Sequence, residues 1–196
     1  MKFLIIGIGG YVEAVVLPVL KASFPSIEIS IEAHSPIKAL NISNIDGLTI
    51  HKGNYDQYDL ILLNPPPWEY TNFLKKIPKN IPLWMEKPIA SFSTGDLERI
   101  YTLVSQRSSI TNVGLNLRHL YQADHVSESH PLTGRIDLQV DYDLNIGLYN
   151  WKHAAIDGGI YYTDGIHAID LALTALGTDA KIKIANTNNK NWNLKV

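Results

Sequence analysis

The 196-residue chain contains no cysteine. Disulfide staples, zinc–thiolate centres, iron–sulfur clusters and a thiol nucleophile are thereby excluded. An excess of charge of one sign is missing too: 17 Lys and Arg stand against 19 Asp and Glu, for a net charge of −2 and a pI near 6.4. That balance provides no overall basic field to hold a nucleic acid backbone or an anionic membrane surface. Apolar runs are short, and none approaches the roughly 20 residues that a membrane-spanning helix needs. Charged residues make up only 18% and hydrophobic residues 45%, which excludes a disordered polymer. What remains is a globular chain long enough for one good core or two small ones.

The N-terminus begins Met1-Lys2-Phe3-Leu4-Ile5-Ile6, as some signal peptides do. No small-residue cleavage site follows a sustained apolar stretch, and Glu13 interrupts it. Lys2–Ile6 is read instead as a buried strand, and the expected location is the cytoplasm.

Strand and helix signals then alternate. The run 2–6 ends at Gly7, as a parallel strand covered on both faces should. Val12, Val15, Val16, Val19 and Leu20 fall at helical spacing on one predicted apolar face, with Pro18 expected to kink or shorten the helix. Strands are predicted at 27–31, 48–50, 60–63, 82–85 and 110–115, and a short helix at 36–40. One further helix carries Tyr70, Phe73, Leu74 and Ile77. Another is capped by Thr94 and turns Leu97, Ile100, Tyr101 and Val104 inward. This alternation predicts a doubly wound parallel sheet over residues 1–115. Residues 116–196 behave differently. Polar helix and loop are expected at 118–131, a half-wet strand at 136–144 and a loop at 145–159. A helix at 164–176 and short strands at 181–185 and 192–196 follow, an α+β pattern.

Three stretches carry chemistry. Gly7-Ile8-Gly9-Gly10-Tyr11-Val12 lies between a strand and a helix, where Gly7 allows a tight turn and Gly9 lets a pyrophosphate approach the backbone at the helix N-terminus. Val12 stands where the full fingerprint has its third glycine, and an ordinary tight turn would use the same pair. Ribose selectivity belongs to the end of the second strand, about 20 residues on. His34, Ser35 and Lys38 could hold a 2′-phosphate there, whereas Glu32 could take a free ribose; the loop residues tip the expectation slightly toward NADP over NAD.

The second stretch is Met85-Glu86-Lys87-Pro88, at a strand's carboxyl end, where ligands of open α/β sheets gather. A lysine there can donate to a substrate oxygen and stabilise developing negative charge, with a cis Lys-Pro bond aiming it. A surface lysine before a turn proline is the plainer alternative. The third stretch runs from Gly158 to Asp170. His167 and Asp170 share a helix face, and His167 lies in the first turn, where the helix dipole favours a neutral imidazole base. A helix-start histidine bonded to a backbone carbonyl would leave the same pattern.

The ordered set resembles the Gfo/Idh/MocA family of NAD(P)-dependent oxidoreductases. Its glycine-rich turn is matched by Gly7 to Val12, its Glu-Lys-Pro motif by Glu86-Lys87-Pro88, and its Asp-x-Gly-x-His-x-x-Asp stretch by residues up to His167 and Asp170. Asn64-Pro65 resembles the family's Thr-Pro after the fourth strand, Val113-Gly114-Leu115-Asn116-Leu117-Arg118 its Val-Gly-Phe-Asn-x-Arg, Gly134-Arg135-Ile136 its Gly-x-Ile, and Trp151-Lys152 its Trp-Arg. Two features depart from the pattern. Thr163 stands where the family has its acid, with Asp164 displaced by one, and the second domain is short.

The resemblance implies a Rossmann domain followed by a C-terminally shortened α+β substrate or oligomerisation domain. It implies hydride transfer between a nicotinamide and an alcohol or carbonyl of a sugar, cyclitol or nucleotide sugar. Lys87 would hydrogen-bond the reacting oxygen, and His167 would act as general acid/base. Gly7, Gly9, Gly10, Tyr11, Val12, His34, Ser35, Lys38, Asn64, Pro65, Glu86 and Lys87 would surround NADP or NAD. Asn116, Arg118, Trp151 and Asp164 would join Lys87 and His167 around the substrate. No metal, nucleic acid or membrane is expected, and a homo-oligomer is. Thr163, Val12 and the short second domain suit an alternative, a non-catalytic dinucleotide-binding regulator or partner subunit.

Overall fold

The computed structural model describes residues 1–33, 47–91, 94–116, 137–141, 165–176, 183–187 and 191–195. The chain divides into two compact units, Met1–Gly114 and Leu115–Val196.

The first unit is a parallel sheet of six strands: β1 (Lys2–Ile6), β2 (Glu28–Glu32), β3 (Leu48–Ile50), β4 (Leu60–Leu63), β5 (Leu83–Met85) and β6 (Thr111–Val113). Their spatial order is β3-β2-β1-β4-β5-β6, every pair parallel. Alternate side chains of a strand point to opposite faces. Leu4 and Ile6 therefore join one core with Ile61, Leu63, Tyr70, Leu83 and Ile100, while Phe3 and Ile5 join the other with Val12, Leu17, Ile29, Ile31 and Leu62. Both faces are covered, which is why β1 and β4 read as unbroken apolar runs. Each such side chain contributes about 1.5–3 kcal/mol by leaving water.

The helix after β1 departs from the predicted face. It opens at Gly10, passes through a π-helical segment, Val12–Val16, and continues as α1 (Leu17–Ser23). The Leu17 amide donates to the Val12 carbonyl, five residues back. This wide turn sits directly before Pro18, whose ring would crowd the carbonyl four residues back in a regular helix. The helix is not cut short there but runs on to Ser23. Val12, Val16 and Leu20 of the predicted face do pack on the core, joined by Leu17, while Val15 and Val19 are exposed.

A second correction concerns Thr94–Ser105. Together with Tyr70–Lys76 it gives the next two helices, α3 and α2 respectively. Thr94 is the first residue of α3 and not its cap. Its buried stripe is Ile100, with Leu103 and Val104 packed beside it, whereas Leu97 and Tyr101 face outward. Ile100 and Val104 of the predicted stripe thus face the core, Leu103 joins them, and Leu97 and Tyr101 lie at its exposed edge. The predicted helix at 36–40 lies outside the described residues, as do the segments 118–131 and 145–159.

In the second unit, β7 (Asp137–Asp141), β8 (Lys183–Thr187) and β9 (Asn191–Lys195) form an antiparallel sheet in the order β7-β9-β8. Helix α4 (Gly165–Leu176) carries His167. Among the described residues no helix is long and apolar enough to cross a membrane.

Candidate functional site

All six strands of the first unit are parallel, so the loops after β1, β2, β4 and β5 emerge at one end of the sheet. The order β3-β2-β1-β4 places the topological switch point between β1 and β4, the crevice where open α/β sheets bind ligands. The glycine turn lies there. Gly7 has φ of +88°, and its amide donates to the Glu32 carbonyl at 3.0 Å. A Cβ at Gly7 would lie 2.5 Å from the Asn64 carbonyl oxygen and 2.9 Å from the Pro65 nitrogen, so the two loops touch backbone to backbone. The Asn64 amide Nδ2 returns a bond to the Gly7 carbonyl at 3.3 Å.

Gly9 is the opposite case. Around a Cβ placed on it, the nearest atom is Asn64 Nδ2, 3.9 Å away. Its missing side chain is not demanded by packing, which leaves open space at the start of a helix. That is the space a pyrophosphate fills in a dinucleotide turn, and the chain's own residues fit such a group. Tyr11, next along, is exposed at its edge, and partial burial, helped by the negative charge of Glu86, raises its phenol above the ordinary value.

The loop after β5 faces the same end. Glu86 is buried, 8% exposed. The Trp84 indole donates to its Oε1 at 3.1 Å, and a Cβ at Gly114, just after β6, would lie 2.6 Å from that same oxygen, so a larger residue there would have to displace the carboxylate. Burial pushes the Glu86 carboxyl up; the Trp84 bond and the charge and amide of Lys87 pull it partly back. Tyr70, 1% exposed, donates its hydroxyl to two carbonyls, Leu63 at 3.0 Å and Glu86 at 2.5 Å, pinning the ends of β4 and β5 together. Lys87 follows, half-buried, and the Lys87-Pro88 bond is cis.

Glu32 ends β2 at the same edge. A narrow cleft of about 40 Å³ is lined by Ile6, Gly7, Glu32, Ala33, Pro65 and Pro66, among others. Two residues that carry no motif, His51 and Tyr55, surround the Glu32 carboxylate here. Nothing in their spacing marked them; the parallel pairing of β2 with β3 brings them in.

In the second unit His167 is half-buried in the first turn of α4, and Asp170, one turn on, is buried. Asn116 is exposed. His34, Ser35, Lys38, Arg118, Trp151 and Asp164 lie outside the described residues. Among the described residues no group of three His, Asp or Glu gathers to hold a metal ion.

A six-stranded parallel sheet with helices on both faces and a glycine turn at its switch point defines a Rossmann-like α/β fold. Solved structures similar to it include several oxidoreductases. A Gfo/Idh/MocA family oxidoreductase from Vibrio cholerae matches all of this chain with 68% of its own length, at 19% identity and a TM-score of 0.64. The WlbA dehydrogenase from Chromobacterium violaceum, in complex with NADH and UDP-GlcNAcA, matches 94% of this chain with 56% of its own, at 15% identity and a TM-score of 0.65. Biliverdin reductase from Synechocystis, in complex with biliverdin and NADP+, matches 96% of this chain with 63% of its own, at 11% identity and a TM-score of 0.64. The chain thus spans between about half and two thirds of the length of these structures, and at such identities the likeness is one of fold. No protein-family model and no curated protein matches the sequence.

Proposed function

We propose that the chain is a Gfo/Idh/MocA-type subunit that binds a nicotinamide dinucleotide across Gly7–Val12 and takes part in hydride transfer to or from a sugar-like alcohol or carbonyl. The observation that carries this reading is the open space at Gly9 on the switch point, bordered by Asn64, with the Glu86-Lys87 loop at the same end of the sheet. The solved complexes with NADH and with NADP+ on this fold support the cofactor class, and the one with UDP-GlcNAcA supports a nucleotide-sugar substrate.

A bound nicotinamide would supply the hydride at its C4. Gly9, Gly10 and the helix start bind the pyrophosphate, and Asn64-Pro65 walls the turn. The Lys87 ammonium donates to the substrate oxygen and stabilises its negative charge. His167 takes the alcohol proton or returns it to the carbonyl. Self-association through the second unit completes the reading, since an open antiparallel sheet gains by pairing with a second copy; a light-scattering mass of one chain would remove that part.

Fluorescence titration with NADH and NADPH tests the binding, and a sugar and nucleotide-sugar screen for cofactor turnover tests the chemistry. His167→Ala should lower turnover by about 10²–10⁴ with cofactor affinity unchanged, and Lys87→Met should lower turnover too. Failure to bind either cofactor refutes the proposal. Tight binding without turnover across the screen would favour a regulator without chemistry.

A further inference from the structure

The carboxyl end of β2 holds a polar cluster that the glycine turn does not explain. The Tyr55 hydroxyl donates to Glu32 Oε2 at 2.9 Å. His51 stacks on the Tyr55 ring, centroids 4.7 Å apart at 27°, and its Nδ1 pairs with the Tyr58 hydroxyl at 3.0 Å. Its backbone amide donates to the Ile31 carbonyl at 2.8 Å, which fixes the residue beside the end of β2. The other imidazole nitrogen, Nε2, is buried without a hydrogen bond and lies 3.8 Å from the same Glu32 oxygen. The His51 side chain is 3% exposed and that of Glu32 29%, so the ring is sealed while the carboxylate still reaches the cleft it shares with Gly7.

We propose that Tyr55 and His51 are positioning residues that hold Glu32 as the receptor for a free ribose diol, making the site selective for NAD over NADP and its affinity pH-dependent. The inference rests on the dinucleotide reading above. Ribose hydroxyls donate to a carboxylate, whereas a 2′-phosphate is repelled by it. With Oε2 committed to Tyr55, the carboxylate is held in one orientation and Oε1 is left for the ligand. Burial, helped by the neighbouring carboxylate, holds the Tyr55 phenol far above its usual value, so it remains a donor. Burial lowers the His51 pKa although the Glu32 charge opposes it, so the ring is neutral at pH 7 and places no cation beside the Glu32 oxygen. Among the described residues the titratable groups facing His51 are Glu32 from β2 and Tyr55 and Tyr58 from the loop after β3. Protonating His51 brings a cation to 3.8 Å from Glu32 Oε2 and draws the carboxylate away from the ribose. On this reading Glu32, rather than His34, Ser35 and Lys38, governs the choice of cofactor.

The test is equilibrium binding of NADH and NADPH to the intact chain and to Tyr55→Phe, His51→Asn and Glu32→Gln, each checked for folding by circular dichroism. The unmodified protein should bind NADH more tightly. Tyr55→Phe should shrink the preference by about two- to tenfold, the share of one hydrogen bond, and Glu32→Gln should remove it. The pH profile is read with NADH alone, because a 2′-phosphate titrates near pH 6 by itself. NADH affinity should fall as pH drops below about 6.5, and His51→Asn should flatten that fall. A tighter grip on NADPH, a preference unmoved in both Glu32→Gln and Tyr55→Phe, or an unchanged profile in His51→Asn overturns the inference and leaves dinucleotide binding standing. Should Tyr55→Phe fail to fold, Glu32→Gln decides. If the unmodified protein binds neither cofactor, both readings fall together.

Discussion

Gly7 and Gly9 are two residues apart and should respond oppositely to a single added carbon. Alanine at Gly7 must adopt a left-handed φ of +88°, which costs about 1–2 kcal/mol for a residue with a Cβ. That Cβ would then meet three backbone atoms of Asn64 and Pro65 at 2.5 to 2.9 Å. Backbone cannot swing aside as a side-chain tip can, so β1 and β4 must part at the switch point, adding about 1–3 kcal/mol as in other overpacked sites. The total, about 2–5 kcal/mol, is a large share of a domain's stability and corresponds to a melting shift on the order of 10 °C. Alanine at Gly9 meets only Asn64 Nδ2 at 3.9 Å, an ordinary contact, and Gly9 is not among the positive-φ glycines. Its stability should change by less than about 1 kcal/mol. Leucine at Gly9 should still fold, yet weaken dinucleotide binding by about tenfold or more, because its side chain fills the ligand's space. Far-UV circular dichroism melts of Gly7→Ala and Gly9→Ala, with NADH and NADPH titrations of Gly9→Leu, separate the roles. The reasoning fails if Gly7→Ala melts within about 2 °C of the parent, or if Gly9→Leu binds unchanged.

Tyr70→Phe should lose about 1–3 kcal/mol in chemical denaturation, since two buried carbonyls at the ends of β4 and β5 lose their shared donor. An unchanged midpoint would mean water replaces the hydroxyl. Glu86, its folded pKa raised chiefly by burial, binds its proton more tightly in the folded state than in the unfolded one, so the folded chain should lose stability as pH rises from about 4.3 through that raised pKa. The stability–pH slope of Glu86→Gln should be shallower over that window, as measured by urea unfolding at stepped pH; parallel slopes would place the carboxylate in a fully compensated environment.

The first unit was readable from sequence because its strands are buried on both faces, and β1 and β4 announce that burial as four-residue apolar runs. Helix faces were read less well. Val15 and Val19 fit an ideal helical period, but Pro18 imposes a wide turn that a fixed period cannot anticipate. Leu97 and Tyr101 misled for a related reason: apolar residues at four-residue spacing show that a stripe exists without saying which edge of it meets the sheet. Within the site, the glycine turn and Glu86-Lys87 were legible because each is a local motif. The Glu32–His51–Tyr55 cluster was not, since its members belong to separate strands and loops and meet only through the β2–β3 register. Gly114 was legible only through the resemblance of Val113–Arg118 to a family motif; its physical role is to leave room for a carboxylate 28 positions earlier in the chain.

Pro18 and the π-turn explain each other, and together they act as a gear between two ends of one helix. The wide turn, closed by the Leu17 amide on the Val12 carbonyl, brings buried Leu17 closer to the azimuth of buried Val12 than a regular turn would. A residue other than proline at position 18 would release the helix to wind regularly, and it could not keep both anchors in place while doing so. Rotating to suit Leu17 would turn Val12 and, just ahead of it, the amides of Gly10 and Tyr11 away from their present bearing. The direction in which the glycine turn offers its N–H groups is thus set in part by an exposed imide ring two turns downstream.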